Sequence, residues 1–194
     1  EWRSCKMSSK LGVENIAHTN GTNAMTISSG GVATFPNPPI GAFISEFDMY
    51  RITANTSTTN DADITSNWER VDDPTFEKIG TGISQSSGIF SFPSTGKYLI
   101  HTQANIQARN GTVTQGRLRL FATQDNSSYT LRAQAEMSGA IDEVNMVSTQ
   151  ILFNVTNTTN DKVKLNLATA ASVIRALGDS TLNRTFISFM KIGA

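Results

Sequence analysis

Charged residues are scarce in this sequence, and neither sign prevails. Only 16% of the 194 residues are Asp, Glu, Lys or Arg, and 16 basic and 16 acidic side chains give a formal net charge of +0. Nucleic acids and anionic membranes are bound chiefly through a surplus of Lys and Arg. We therefore expect no nucleic-acid partner. No apolar run approaches the roughly 20 residues that a membrane-spanning helix requires, so we also expect no membrane insertion.

Cysteine and histidine are almost absent. The single cysteine, Cys5, cannot form a disulfide within the chain. Neither of the two histidines, His18 and His101, stands beside a Ser or Cys in a pattern typical of a hydrolytic triad. We therefore predict no catalytic residue, no enzyme activity and no resident organic cofactor.

Acidic residues do occur in three short clusters, and oxygen-rich loops can bind calcium. The clusters are Asp61-Ala62-Asp63, Asp72-Asp73 and Asp142-Glu143. Their spacing matches no EF-hand loop, which also needs a glycine at its sharp turn. Two interpretations stay open: a calcium site at one of these loops, or ordinary solvated acids, which the spacing favours.

Helical periodicity is also missing, and alternation takes its place. The stretch from Gly88 to Ile106 is the clearest case, because a short apolar strand ends at Pro93, a Ser-Thr-Gly turn follows, and a longer strand comes after it. In the longer strand one face carries the less polar side chains, namely Tyr98, Ile100, Thr102, Ala104 and Ile106. Alternation with a period of two predicts a sheet with one buried face.

Similar alternation recurs along the rest of the chain, with polar turns between the segments. It predicts buried faces around Leu118, Leu120, Val147 to Val155 and Val163 to Leu167. Short strands at regular spacing predict an all-β fold, an antiparallel jelly-roll sandwich of about eight to ten strands. The last strand has apolar residues on both faces, which indicates a second buried surface: Phe186, Ile187, Phe189, Met190 and Ile192.

The central stretch also carries a family pattern. Residues 88–98 read Gly-x-Phe-x-x-Pro-x-x-Gly-x-Tyr, preceded by Asn67-Trp68 and Phe76 and followed at the chain end by Thr185 to Phe189. This pattern resembles the globular head of the complement first component, whose jelly roll is shared with the tumour necrosis factors. The resemblance implies a homotrimer, with Phe186 or Phe189, and also Tyr98, near the subunit contacts.

The N-terminal segment differs from the rest. Pro36-Asn37-Pro38-Pro39 is a stiff joint that predicts a boundary between an extension, residues 1–39, and a head domain, residues 40–194. In the extension, Ala24–Ile27 and Val32–Phe35 flank a Gly-Gly turn and predict a β-hairpin. The sequence of the extension is similar to the leaders of structural and fibre proteins of tailed bacteriophages, especially marine phages of the cyanophage type. The matching residues are Val13, Ile16, Gly21, Thr22, Ala24, Met25, Thr26, Ile27, Gly31 and Val32.

The two resemblances together imply a virion structural protein. The extension would attach to other virion proteins, and a trimeric head on a tail fibre or spike would act in host attachment through a surface glycan or protein. A capsid decoration or cement protein is one alternative. A soluble complement-like or cytokine-like binding module is the other.

Overall fold

The computed structural model describes residues 15–17, 23–30, 33–34, 44–170 and 172–193. The chain separates into two units, Glu1–Phe43 and Ile44–Ala194. The described residues contain no α-helix, and so no helix long and apolar enough to cross a membrane. Cys5, His18 and the proline joint lie outside the described residues.

The first unit contains a small antiparallel sheet. Its strands are β1 (Asn15–Ala17), β2 (Asn23–Ile27) and β3 (Ala33–Thr34). Strand β2 pairs with β1 on one side and with β3 on the other. The β2–β3 pair agrees with the predicted hairpin, whereas β1 was not expected. Gly31 and Val32 of the predicted hairpin lie outside the described residues.

The second unit is a sandwich of two antiparallel sheets. Its strands, in chain order, are β4 (Phe47–Ile52), β5 (Thr56–Thr58), β6 (Ala62–Asp63), β7 (Trp68–Arg70), β8 (Ser84–Ser86), β9 (Ile89–Ser91), β10 (Gly96–Ala108), β11 (Val113–Thr123), β12 (Thr130–Gly139), β13 (Val144–Val155), β14 (Lys162–Thr169), β15 (Ile174–Ala176) and β16 (Phe186–Gly193). These described strands outnumber the eight to ten that we expected, because β5, β6 and β15 are pieces of two or three residues, too short for a periodic pattern to be recognised.

Sheet I is built around β10. Strand β13 pairs along one edge of β10 from Gly96 to Gln107. Along the other edge, β16 pairs with residues 97–103 and β15 with residues 106–108. The order across the sheet is therefore β13, β10, β16, β4, β7, with β5 continuing beyond β15. Sheet II has the order β12, β11, β14, β9, β8, with β6 also on β14.

The core lies between the two sheets and confirms the predicted alternation. Tyr98, Ile100, Thr102, Ala104 and Ile106 are all fully buried. On the facing sheet, the inward side chains of β11 and β14 include Leu118, Leu120, Val163, Leu165 and Leu167. Each large apolar side chain buried here contributes about 1.5–3 kcal/mol to folding relative to an exposed one, so the core is the main source of stability.

An aromatic cluster fills one end of the core. The ring of Phe92 lies 4.8 Å from that of Tyr98 and 5.6 Å from that of Phe153, measured between centroids. The Tyr98 hydroxyl donates to the Ser94 carbonyl at 3.1 Å. Burial raises the pKa of Tyr98.

Two glycines shape the turns around β9: Gly88 lies in the turn between β8 and β9, and Gly96 begins β10. Gly88 has a φ of 78° and Gly96 a φ of 137°, where residues with a side chain are rare. A Cβ at Gly88 would lie only 2.1 Å from the Ile64 carbonyl oxygen. The structure confirms a break between the two strands, although β9 ends at Ser91, two residues before the predicted end at Pro93, and β10 begins at Gly96.

Candidate functional site

The outward surface of sheet I is the most unusual feature of the second unit. Residues paired directly across neighbouring strands share one face of a sheet. The register therefore places apolar side chains in a row across four strands, from Leu152 through Leu99 and Met190 to Phe47. The adjacent row holds neutral polar and sulfur side chains, in the order Gln150, His101, Ser188 and Met49.

These rows belong to a surface without charge, which we call the neutral face. It consists of three rows of outward side chains on β13, β10, β16 and β4. The rows are Leu152, Leu99, Met190 and Phe47; Gln150, His101, Ser188 and Met49; and Ser148, Gln103 and Phe186. All of these positions lie in the described residues, and none is Asp, Glu, Lys or Arg. A solvated face of an antiparallel sheet normally carries polar side chains, charged ones among them, so a face that combines an apolar row with no charge at all is unusual.

The outward surface of sheet II shows the contrast. There Arg117 pairs with Glu136 at 2.9 Å, and Arg119 pairs with Asp61 at 2.7 Å. Charge pairs at such exposed positions contribute little to stability but keep a surface soluble. Sheet II therefore carries charge pairs on its outer surface, whereas the neutral face of sheet I carries none.

Strand β13 adds exposed apolar groups along one edge of the neutral face. Met146 is 65% exposed, Leu152 is 60% exposed and Val144 is 47% exposed. Val144 and Met146 form a small apolar patch, and the polar side chains of Ser148 and Gln150 separate it from Leu152 on the same face. Exposed apolar patches often mark a contact with another protein. The sequence pattern alone could not reveal this patch, because β13 also alternates as an ordinary half-buried strand.

The three predicted contact residues do not lie together. Tyr98 is fully buried and Phe189 is 1% exposed, both inside the core of one subunit. Phe186 points outward, where its ring meets that of His101 edge-on at 5.4 Å between centroids. The rings of Tyr98 and Phe189 thus have no surface to offer another chain. Of the three, only Phe186 remains a candidate for a subunit contact, together with the other residues of the neutral face, which the sequence analysis did not name.

An acidic group borders the neutral face at its β4 and β7 end. Arg51, only 1% exposed, reaches Glu69 through Nε and Asp72 through Nη2, both at 2.7 Å, and Asp73 through Nη1 at 2.8 Å. Burial acts to lower the pKa of Arg51, but hydrogen bonds to Glu69 and Asp73 raise it overall. We call these three carboxylates over Arg51 the acid cap. Three negative charges against one positive charge leave the group with a surplus of two negative charges.

A second buried ion pair holds the same edge in place. Asp48, 1% exposed, accepts from Arg70 Nε at 3.0 Å and from the Ile83 amide at 2.7 Å. The Arg70 guanidinium also lies over the Tyr50 ring, 5.1 Å from its centroid. Burial raises the pKa of Tyr50, and Arg70 opposes that rise. These contacts tie β4, β7 and the segment before β8 together, so the acid cap has a rigid base.

The acids that suggested calcium are engaged with basic or backbone groups. Asp61 pairs with Arg119, Asp63 with Lys164 at 2.6 Å, and Asp142 with Arg109 at 2.6 Å. Glu143 accepts from the Ala140 amide. Within the part of the chain that the structure describes, no three His, Cys, Asp or Glu residues are grouped as metal ligands.

The polar turns mostly stabilise their own backbone. Asp125 accepts from the amides of Ser127 and Ser128 and from the Thr123 hydroxyl at 2.7–2.9 Å. The Ser128 amide first, then the Thr123 hydroxyl and the Ser127 amide, hold the pKa of Asp125 well below its ordinary value. This carboxylate has a structural role, so its presence in a turn is not by itself a sign of ligand binding.

No protein-family model matches the chain, and no curated protein matches it. Solved structures, in contrast, do match its fold. The Eiger TNF from S. frugiperda superimposes with a TM-score of 0.59 at 16% identity, covering 78% of this chain and 94% of that one. Murine APRIL superimposes with a TM-score of 0.54 at 15% identity, covering 75% and 98%. The second unit is a tumour necrosis factor-like jelly roll.

The globular domain of zebrafish complement 1qA also matches, with a TM-score of 0.49 at 12% identity, covering 74% of this chain and 95% of that one. The predicted all-β jelly roll is confirmed by the first two likenesses and by the two antiparallel sheets. At these identities the likeness concerns the fold. A jelly roll of this kind carries many unrelated functions, so the function must be argued from the surface.

Proposed function

We propose that this chain is a non-enzymatic binding module that works as a homotrimer, with the neutral face as its contact between subunits. The observation that carries the proposal is the absence of charge across four adjacent outward strands. An uncharged sheet face with an apolar row loses unfavourable contact with water when an identical face or edge covers it. The trimer, rather than another assembly, is what the resemblance in the central stretch implies.

The trimer gives the module its mode of action. Three identical heads held together present three copies of every loop, so weak binding at each loop adds up through effective concentration. Loops on a rigid sandwich are the usual place for such binding. The neutral face is used up in assembly, and the charged outside of sheet II stays in contact with water.

A charge placed on the neutral face tests the assembly. We expect light scattering after size exclusion to give the wild-type protein a mass three times that of the 21.0 kDa chain. Ser188→Asp puts an uncompensated charge at the centre of the face and should give the monomer. Ser86→Asp makes the same change at an exposed position of β8 in sheet II and should remain a trimer. A wild-type monomer at micromolar concentration would refute the trimer.

Within this class, the leader phrase supports a virion protein of a tailed bacteriophage. The extension would bind other virion proteins, and the trimeric head on a tail fibre or spike would act in host attachment. A capsid decoration protein uses the same anchored trimer without a receptor. Antibody labelling of purified particles separates the two, because label on the tail supports attachment and label on the shell supports decoration.

A soluble binding module of the cytokine or complement kind is the second candidate. The likeness to Eiger TNF and murine APRIL favours it. The discriminating observation is the neighbourhood of the gene. An open reading frame among capsid and tail genes supports the virion protein, whereas a signal-peptide sequence upstream in the full gene supports the soluble module.

A further inference from the structure

A shallow groove lies at the edge of sheet I opposite the acid cap, and its walls carry an unpaired charge. The groove is lined by Gln124, Arg132, Ile151, Leu152, Phe153 and Asn154 and encloses about 370 Å³. Arg132 is exposed, and none of the ion pairs among the described residues includes its guanidinium. We call this feature the edge groove. In the edge groove the unpaired guanidinium of Arg132 lies beside apolar side chains of β13, including the exposed Leu152.

The acid cap has the complementary property. Glu69, Asp72 and Asp73 share the one guanidinium of Arg51, and no other ion pair among the described residues reaches them. The Asp72 side chain is 75% exposed, so one carboxylate of the cap is open to a second cation. A partly satisfied acidic group beside an uncharged surface favours a basic residue from outside.

The two features lie at opposite edges of one sheet. Strand β13, which lines the edge groove, is at one end of sheet I, and β7, which carries Glu69, is at the other. The neutral face spans the distance between them. Within one chain Arg132 and Asp72 are therefore kept apart, but in a ring of identical subunits the edge of one copy can meet the opposite edge of the next.

We propose that Arg132 of one copy binds the acid cap of the next copy, so that three equivalent charge contacts hold the trimer head to tail. The inference rests on the proposed homotrimer and adds to it the pairing and the direction of the ring. The apolar groups of β13 then cover part of the neutral face of the neighbour. Charge complementarity sets the register of this contact, because the neutral face has no charge that could do so.

A charge swap tests the pairing. Arg132→Glu and Asp72→Arg each place like charges opposite one another, and each should raise the concentration at which the trimer half-dissociates by about tenfold or more. The double variant restores opposite charges in reversed order and should return to within about threefold of the wild type. Both positions are exposed, and matching thermal melts of the isolated variants will show that the fold is kept. Lys162→Glu, the same charge change on β14 of sheet II, is the matched control and should leave dissociation unchanged.

The outcomes separate this inference from the proposed function. A wild-type trimer whose dissociation is unaffected by either single variant overturns the Arg132 contact but leaves the trimer standing. Single variants that both weaken the trimer without recovery in the double variant also overturn the pairing. A wild-type monomer overturns the homotrimer itself, and the contact with it. Weaker trimers in both single variants, together with wild-type-like dissociation in the double variant, support the Arg132 contact and the homotrimer.

Discussion

Phe186 and Phe189 occupy opposite faces of β16 although only three residues separate them. The Phe189 ring packs in the core, 5.5 Å from the centroid of Phe90. The Phe186 ring lies outside, against His101 at 5.4 Å. One strand thus contributes to two surfaces, the core through Phe189 and the outward neutral face through Phe186.

The two phenylalanines should respond differently to truncation. Phe189→Ala leaves a cavity in a close-packed core and should lower the free energy of unfolding by about 3–5 kcal/mol. Phe186→Ala should change the unfolding of the dissociated subunit far less and should weaken the trimer. Urea denaturation at a fixed, low protein concentration measures the free energy of unfolding of the subunit. Light scattering across a dilution series of the protein measures dissociation of the trimer. Equal loss of unfolding free energy in both variants would contradict the assignment of the two faces.

Arg51 should matter more than any exposed arginine. Arg51→Met removes the buried cation that pairs with all three carboxylates of the acid cap and leaves them together, so it should lower the free energy of unfolding by about 3–5 kcal/mol. Arg109 also has a short ion pair, to Asp142 at 2.6 Å, but both side chains are well exposed. Arg109→Met is the control and should cost less than about 1 kcal/mol. Chemical denaturation of the two variants under one condition makes the comparison, and similar losses would show that the acid cap does not need its arginine.

Gly88 should tolerate no side chain. Gly88→Ala forces an alanine into a backbone conformation with a φ of 78° and sets its Cβ against the Ile64 carbonyl oxygen. The expected loss of unfolding free energy is about 2–4 kcal/mol, from the conformational penalty together with the steric clash. Gly193→Ala, where the nearest atoms lie at an ordinary 3.7 Å, is the control and should be nearly neutral. Thermal melts of both variants test this, and an unchanged melting temperature for Gly88→Ala would count against the turn geometry.

Asp125 should make stability depend on pH in the acid range. Its folded pKa lies below the ordinary value of 3.8, because amide and hydroxyl donors favour the ionised carboxylate. The stabilisation is therefore fully present above the ordinary value and is lost as the pH falls from there through the lower folded value. Asp125→Asn should melt at a lower temperature than the wild type at neutral pH, and the difference should shrink below about pH 4. A difference that stays constant from neutral to acid pH would show that the hydrogen bonds do not depend on the charge.

Much of the fold follows from local pattern. The alternation from Tyr98 to Ile106 predicted a buried face that the structure confirms, and the turn signals at Pro93 and Gly96 predicted where β10 begins. These predictions succeed because side-chain direction in a strand depends only on the parity of the residue number. The short strands β5, β6 and β15 were missed, since pieces of two or three residues have no periodicity to detect.

The candidate site was less accessible to sequence reasoning. An apolar last strand indicated a second buried surface, but the pattern could not decide which of Tyr98, Phe186 and Phe189 faces it. The acid cap unites Arg51 with residues 18 to 22 positions further along the chain. The edge groove brings Arg132 next to β13 across the gap between two sheets. No periodicity carries such information, because it depends on which strands become neighbours.

The sequence by itself determined that this chain is all-β, which side chains of each long strand turn inward, and that its surface has no net charge to attract nucleic acid. Tertiary structure alone decided that the uncharged outward positions of β13, β10, β16 and β4 lie side by side, with a free cation at one edge and surplus acid at the other. The reason is that alternation is a local property of the backbone, whereas a surface is assembled from strands that are distant in sequence and meet only when the sheets close over the core.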